Sequence, residues 1–154
     1  MGARVKYSCV LLSCMTLPRN EPPEGRRFRS WGEEQIARLL DRNRIAFLYE
    51  HPLAVVDGGK TRIWYADFRL CGYGMLIEYC GRPDDPAYAA GMARKEAVYR
   101  VNGLTALMLT PEDLRGDWPG RILGRIEGVL TDRLKVFRDY RRAESVINPR
   151  RNSP

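Results

Sequence analysis

The hydrophobic pattern between residues 61 and 80 predicts a β-hairpin around which the rest of the chain is arranged. Two β-type apolar runs flank the turn Cys71-Gly72-Tyr73-Gly74, and glycines at such places are typical of tight turns. A second turn, Asp57-Gly58-Gly59, precedes this hairpin, and the strand before that turn is predicted to break at His51-Pro52 and to continue from Leu53 to Val56. We therefore predict three antiparallel strands, at residues 45–56, 61–70 and 75–80.

Three segments show the 3.6-residue period of helices. The first begins at the capping box formed by Ser30 and Glu33 and runs to about residue 42. The second begins at Pro86 and ends at Asn102-Gly103, the common proline start and glycine stop. The third begins near residue 118, and its apolar face, which runs from Ile122 to Phe137, is predicted to be buried.

A last apolar run, residues 104–109, follows the second helix. A strand that is reached through a helical crossover normally lies parallel to its neighbour, so we expect it beside the strand at 75–80. The predicted order is α-β-β-β-α-β-α. This order is that of an α/β protein with a central mixed sheet flanked by helices.

Length and composition are those of one domain. The chain has 154 residues, of which 44% are hydrophobic, and this suffices for a sizeable core. We place the domain at residues 30–138. Residues 1–29 form an N-terminal extension whose proline- and arginine-rich end suits a basic arm that touches phosphates, and a disordered tail fits it equally well. Residues 139–154 are predicted to be a basic C-terminal tail.

The charge balance favours an anionic partner. Lys and Arg number 26 against 19 Asp and Glu, which gives a net charge of +7 and a pI of about 9.5. Nucleic acid is the simplest such partner, and a basic protein without one has the same composition. No run approaches the roughly 18 apolar residues of a membrane span. The four cysteines lack C-x-x-C spacing, so we expect reduced thiols in a cytoplasmic protein.

Two acids mark the predicted hairpin as a candidate site. Asp67 lies near the end of its first strand, and Glu78 follows the apolar run Met75-Leu76-Ile77 in its second. Removing an unpaired charge from water costs several kcal/mol, so a buried acid normally has a partner, which is often a metal ion. Acids at the ends of adjacent strands can converge on one cation, and hard oxygen ligands suit Mg²⁺ or Mn²⁺.

Lys95 and Glu33 each allow two interpretations. Lys95 belongs to a helical stripe with Tyr88, Met92 and Tyr99, at spacings of three and four residues. It is either a structural lysine that snorkels to water or a charge directed at the carboxylates. Glu33 is either only a helix cap or an additional acid that points toward the site from the first turn.

The order of these motifs resembles the PD-(D/E)XK superfamily of restriction-endonuclease-like nucleases, and most of all its small, very-short-patch-repair-like endonucleases. The resemblance covers roughly residues 30–114. It rests on the following motifs: Glu33, Asp67-Phe68, Ile77-Glu78, the tyrosine-rich helix over residues 88–99, and Asn102-Gly103-Leu104. Two positions depart from the pattern: Ala66 replaces the proline before the first acid, and Cys80 replaces the lysine two residues after the second.

The resemblance implies a metal-dependent endonuclease that hydrolyses DNA phosphodiester bonds, with RNA as the other candidate substrate. Asp67, Glu78 and the carbonyl of Tyr79 would bind Mg²⁺, for which Mn²⁺ could substitute. Lys95 would replace the missing lysine, because in several branches of the superfamily that residue comes from the following helix. Glu33 would complete the set of catalytic residues. Contacts to the phosphate backbone of the DNA are expected from three arginines, Arg62, Arg69 and Arg94.

Two other functions fit the same motifs. The chain is either a catalytically inactive nucleic-acid-binding module on the same fold, or a partner-binding subunit whose acids form ordinary salt bridges. Many nucleases of this type pair to cut two strands, so a homodimer is a further expectation.

Overall fold

The computed structural model describes residues 28–147. In this part of the chain the protein is a mixed α/β structure with three α-helices and one four-stranded mixed sheet. Its elements follow in the order α1 (Trp31–Arg42), β1 (Phe47–Asp57), β2 (Lys60–Leu70), β3 (Met75–Tyr79), α2 (Pro86–Val101), β4 (Thr105–Leu109), a 3₁₀ turn (Pro111–Leu114) and α3 (Trp118–Ile147). The order of helices and strands is the predicted one.

The strands lie in the order β1-β2-β3-β4. Strands β1, β2 and β3 pair antiparallel, and β4 pairs parallel to β3, with Met75 opposite Thr105 and Tyr79 opposite Leu109. The parallel placement of the last strand is therefore confirmed. The turn between β2 and β3 depends on Gly72 and Gly74, whose φ angles of 79° and 60° carry little cost only without a Cβ atom.

Strand β1 does not break at His51-Pro52, which corrects the sequence-based prediction. It is a single strand of 11 residues, and Pro52 lies opposite Tyr65 of β2. A proline is tolerated there because β1 is an edge strand, so one side of it needs no ladder hydrogen bonds. The predicted ends of all four strands also shift slightly: β1 runs from Phe47 to Asp57, β2 begins at Lys60, β3 ends at Tyr79 and β4 begins at Thr105.

The strand is instead distorted at Glu50, which has a φ of 47°. Residues an even number apart face the same side of a regular strand, yet Tyr49 donates a hydrogen bond to Glu33 of α1, whereas Val55 packs in a cluster with Tyr99 of α2. The side-chain alternation of β1 is therefore reset between these residues. The same reset separates Ala66 from Phe68 on β2, since Ala66 joins the Tyr99 cluster and the Phe68 ring packs against Tyr49.

Helices α1 and α2 cover opposite faces of the sheet. Consecutive side chains of a strand point to opposite faces, and in β3 the Glu78 carboxylate bonds to α2, whereas the Tyr79 ring lies against Gly32 of α1. The α2 side holds a core cluster of Val55, Ala66, Leu76 and Tyr99. The α1 side holds the fully buried Ile36 and Leu40.

The first described residues belong to this domain. The Phe28 ring lies 4.9 Å from the Tyr49 ring and 6.3 Å from the Phe68 ring. Arg29 forms an ion pair with Glu50, without the geometry of a hydrogen bond. The domain thus begins at least two residues before the predicted boundary at residue 30. The rest of the predicted arm, residues 1–27, lies outside the described residues.

Asn102, directly after α2, joins the helix to the outer edge of β1. Its side-chain amide accepts from the backbone N–H of Val56 at 2.8 Å and donates to the Val56 carbonyl at 3.0 Å. It also donates to the Val98 carbonyl, 2.8 Å away. The asparagine of the Asn102-Gly103 motif is therefore a structural clamp, and Gly103, with a φ of 70°, ends the helix.

Two compact units divide the chain between Arg115 and Gly116. The second unit contains α3, which continues to Ile147 and so extends into the segment predicted to be a tail. On its apolar face Ile122 and Ile126 are buried, but Leu134 and Phe137 are exposed, so burial of the whole face was a wrong prediction. None of the helices within residues 28–147 is long and apolar enough to cross a membrane.

Candidate active site

Glu78 is the most deeply buried charged residue of the site, with 1% of its surface exposed. It lies in β3, and both of its carboxylate oxygens accept hydrogen bonds from α2. Lys95 Nζ is 2.7 Å from Oε2, and the Tyr99 hydroxyl is 2.6 Å from Oε1. The spacing of four residues between Lys95 and Tyr99 places both on the same face of the helix. The helical stripe noted in the sequence therefore points inward, over the sheet.

Lys95 is held from two sides. Besides its ion pair with Glu78, its ammonium donates to the backbone carbonyl of Tyr65 at 3.1 Å. Its side chain is 23% exposed, so part of it still contacts solvent. Of the two interpretations of Lys95, the structure shows the one in which its charge reaches the carboxylates.

Asp67, on β2, lies next to this ion pair. One of its oxygens accepts a hydrogen bond of 2.8 Å from the backbone N–H of Tyr79. Burial, and then the negative charge of Glu78, raise the pKa of Asp67 to about 7, although the Tyr79 N–H and Lys95 act in the opposite direction. The structure thus places Asp67, Glu78 and Lys95, from two adjacent strands and the following helix, close enough for their charges to interact.

Glu33 is buried, and most of its bonding capacity is used within the fold. Its carboxylate accepts hydrogen bonds from the Ser30 hydroxyl at 2.9 Å, from the Arg29 N–H at 3.1 Å and from the Tyr49 hydroxyl. Burial and this bond to Glu33 raise the pKa of Tyr49. Glu33 also contributes, as the weakest of the named causes, to the raised pKa of Asp67. It is a cap that lies beside the site, so both interpretations of Glu33 keep support.

Tyr79 contributes its backbone to the site and its ring to the packing of α1. Its N–H donates to Asp67, and its carbonyl lies 3.5 Å from the Tyr88 hydroxyl. The ring covers Gly32 so closely that a Cβ atom there would lie 2.1 Å from the ring carbon Cζ. Gly32 is therefore required for the approach of α1 to the end of β3.

We expect Gly32→Ala to lower the free energy of unfolding by about 1–3 kcal/mol, because the Tyr79 ring must move away from the new methyl group. Urea unfolding measures the effect. Gly91→Ala is the matched control, because its Cβ would meet no atom within 4 Å and alanine is the better helix former by about 1 kcal/mol. In a Tyr79→Ala background the Gly32→Ala loss should disappear. A loss that persists there would show that the ring is not the obstacle.

Cys80 cannot supply the charge of the lysine whose place it takes. Its thiol is buried, and burial, with the nearby Glu78 and Asp67, raises its pKa to about 11. A thiol with so high a pKa stays neutral at physiological pH. Lys95 is therefore the cation that the structure places against Glu78.

The predicted phosphate-binding arginines fall into two places. Arg62 and Arg94 both pair with the buried Asp57, with nitrogen–oxygen distances of 3.3 and 2.6 Å, and both side chains are more than half exposed. Arg69 lies elsewhere on β2, opposite Leu48 and Leu76, and its charge adds to burial in lowering the pKa of His51. One buried aspartate thus pairs with two of the three arginines, and these three side chains together carry a net positive charge.

The oxygen donors suit a hard divalent cation. Asp67 is half-buried beside a second carboxylate, and its pKa is raised first by desolvation and then by the charge of Glu78, which Lys95 does not fully offset. Each carboxylate has about four lone-pair positions, so the bonds from Lys95 and Tyr99 leave Glu78 able to bind a further partner. Within residues 28–147 no group of three or more His, Cys, Asp and Glu side chains is arranged to hold a metal ion. A cation here would therefore need the Tyr79 carbonyl and water as further ligands.

Two residues of the site were not predicted as members of it. Tyr99 was seen only as part of the stripe, although its spacing from Lys95 already placed it beside the same acid. Asp57 was assigned only to a turn. Its role depends on Arg94, which lies 37 residues away, and no local pattern reveals that contact.

Comparison with protein-family models, with curated proteins and with solved structures found no significant match for this chain.

Proposed function

We propose that this protein is a Mg²⁺-dependent nuclease that hydrolyses phosphodiester bonds of DNA, on a restriction-endonuclease-like fold. The observation that carries the proposal is the meeting of Asp67 and Glu78, from adjacent strands, with the inward Lys95 of the next helix. The α-β-β-β-α-β-α order and the parallel pairing of β3 with β4 support the finer fold assignment. The net charge of +7 suits a polyanionic substrate.

Each residue would have a distinct role. Asp67, Glu78 and the Tyr79 carbonyl would hold the cation, which when bound lowers the pKa of a coordinated water and neutralises charge on the phosphate. Lys95 would orient the attacking water and stabilise negative charge in the transition state. Tyr99 would fix the Glu78 carboxylate through its hydrogen bond. Arg62 and Arg94 would contact the phosphate backbone of the DNA, which gives affinity without sequence preference.

Metal-dependent cleavage tests the proposal. Purified protein is incubated with end-labelled duplex, nicked, mismatched and branched DNA, and with RNA, in Mg²⁺, in Mn²⁺ and in EDTA. We expect cleavage only with a divalent cation, and products with a 5′-phosphate and a 3′-hydroxyl. Asp67→Asn and Glu78→Gln should each slow cleavage on the order of 100-fold or more, since the ion contributes several kcal/mol to the barrier.

Glu34→Gln is the matched control. Glu34 lies beside Glu33 in sequence, but its side chain is 41% exposed and forms an ion pair with Arg38. This variant should cleave like the wild type. Cleavage that survives Asp67→Asn, or that continues in EDTA, would contradict the proposed site.

A second function has an observation in its favour. Both oxygens of Glu78 already accept hydrogen bonds, from Lys95 and Tyr99, as in a buried ion pair with only a structural role. On this alternative the protein is a catalytically inactive nucleic-acid-binding module. It would bind DNA with an affinity that falls steeply as salt rises and would cleave nothing in the assay above.

A further inference from the structure

Beside the acidic site an open cavity of about 380 Å³ lies between β2 and α2. Its volume falls in the range of about 300–1,000 Å³ that is common for small-molecule sites. It is lined by Ile63, Trp64, Tyr65, Gly91, Arg94 and Lys95. Every one of these residues belongs to the same compact unit as the acids.

The walls of the cavity combine aromatic surface with positive charge. Trp64 is held in place by an edge-to-face contact with Tyr99, with ring centroids 5.8 Å apart. Tyr65, whose side chain alternates with that of Trp64 along β2, borders the cavity beside its backbone carbonyl, which accepts from Lys95. Arg94 is fixed beside the opening by Asp57, and Asp57 also pairs with Arg62. A flat aromatic wall with arginines at the rim is complementary to a nucleobase and its phosphate.

Lys95 connects the cavity with the acids. It lines the cavity, donates to the Tyr65 carbonyl and forms the ion pair with Glu78. Only the Lys95 side chain would therefore separate a nucleotide in the cavity from the site at which the scissile phosphate is proposed to bind. Binding there would position the strand for cleavage.

We propose that this cavity binds an unpaired nucleotide, and that the substrate is a strand with at least one base outside a duplex. Bases inside a duplex are stacked and paired, so they cannot enter a cavity on the protein surface without being extruded, which costs a few kcal/mol. An unpaired base enters at little cost and stacks on Trp64. This inference rests on the proposed function, because it assumes that nucleic acid is the substrate.

Filling the cavity is the first test. Gly91 lies in α2, has no positive φ, and a Cβ atom there would meet nothing within 4 Å. Gly91→Leu thus places a side chain in the cavity and improves helix propensity. The matched control is Gly128→Leu, an exposed glycine of α3 that also has open space around it. Binding of the full-length chain is measured by fluorescence anisotropy in EDTA, with a labelled duplex and the same duplex carrying an unpaired tail.

We expect the wild type to bind the tailed DNA at least tenfold more tightly than the plain duplex. Gly91→Leu should remove this preference, and Gly128→Leu should keep it. Trp64→Ala should weaken binding of the tailed DNA by about tenfold through lost stacking, whereas Trp64→Phe, which keeps an aromatic ring against Tyr99, should keep the preference. An RNA tail of the same sequence shows whether the sugar matters, and a preference for either tail supports the inference.

Equal binding of tailed and plain duplex, or a preference that survives Gly91→Leu, would overturn the inference. If Gly91→Leu changes the oligomeric state but keeps the preference, the inference is also overturned. The cavity would then be an interface between two copies of the chain. These results are separable from failure of the nuclease proposal. Cleavage that depends on Asp67 without any preference for unpaired bases rejects the cavity alone, and preferential binding without cleavage rejects the nuclease alone.

Discussion

Replacing Lys95 by Met should lower the free energy of unfolding by about 3–5 kcal/mol, because the variant leaves the Glu78 carboxylate buried without its cationic partner. Glu78 is 1% exposed and Lys95 Nζ lies 2.7 Å from it, so solvent cannot replace the lost ion pair. The unbranched methionine keeps most of the side-chain volume, and urea unfolding at pH 7.5 measures the loss. Cleavage should be abolished as well.

The double variant Glu78→Gln/Lys95→Met separates stability from catalysis. With both charges removed, the introduced glutamine amide still accepts the hydrogen bond from Tyr99, and we expect most of the lost stability to return. Cleavage should not return, because neither the metal ligand nor the cation is restored. A double variant as unstable as Lys95→Met alone would show that the buried charge of Glu78 is not the cause of the loss. Recovery of cleavage would remove both residues from the mechanism.

Asp67→Asn should stabilise the protein above pH 7 while it abolishes cleavage. Burial and the charge of Glu78 raise the pKa of Asp67 from 3.8 to about 7, so the folded state holds a proton that the unfolded state releases. Stability from this group is therefore full below pH 4 and is lost as pH rises toward 7. At pH 8 the wild type bears the whole cost of the buried charge, on the order of 2–4 kcal/mol. Asparagine avoids this cost and keeps an oxygen to accept from the Tyr79 N–H.

Urea unfolding at pH 4.5 and pH 8 in EDTA tests this expectation. The stabilisation by Asp67→Asn should be large at pH 8 and small at pH 4.5, and Glu34→Gln serves as the control for removal of an exposed acid. Saturating Mg²⁺ should then stabilise the wild type at pH 8, by about 2.7 kcal/mol at 100 times its Kd, and should leave Asp67→Asn unchanged. An Asp67→Asn variant that is less stable than the wild type at pH 8 would contradict the electrostatic account of this site.

Local chemistry explains why much of the fold was predictable. The Ser30 cap, the turn at Gly72 and Gly74, the proline start of α2 and its stop at Gly103 each need particular residues at particular positions, so the sequence alone indicates them. The same holds for Lys95, because helical spacing determines which side chains share a face.

Contacts between segments that are distant in the chain were harder to predict from the sequence. The reset of side-chain alternation near Glu50 depends on a positive φ at a residue that is not glycine, and no propensity indicates such a conformation. Pro52 looked like a strand break because its tolerance depends on β1 being at the edge of the sheet. The shared pairing of Arg62 and Arg94 with Asp57 likewise requires the register of β1 with β2 and the position of α2.

The clamp at Asn102 affects whether other chains can pair with the exposed edge of the sheet. An open sheet edge recruits foreign strands through its free N–H and C=O groups. Asn102 already satisfies both groups of Val56 on the outer side of β1, and Pro52, farther along, offers no N–H at all. The side chain thus takes the place of a neighbouring strand over a single residue, and this part of the outer edge offers fewer free groups to a foreign strand.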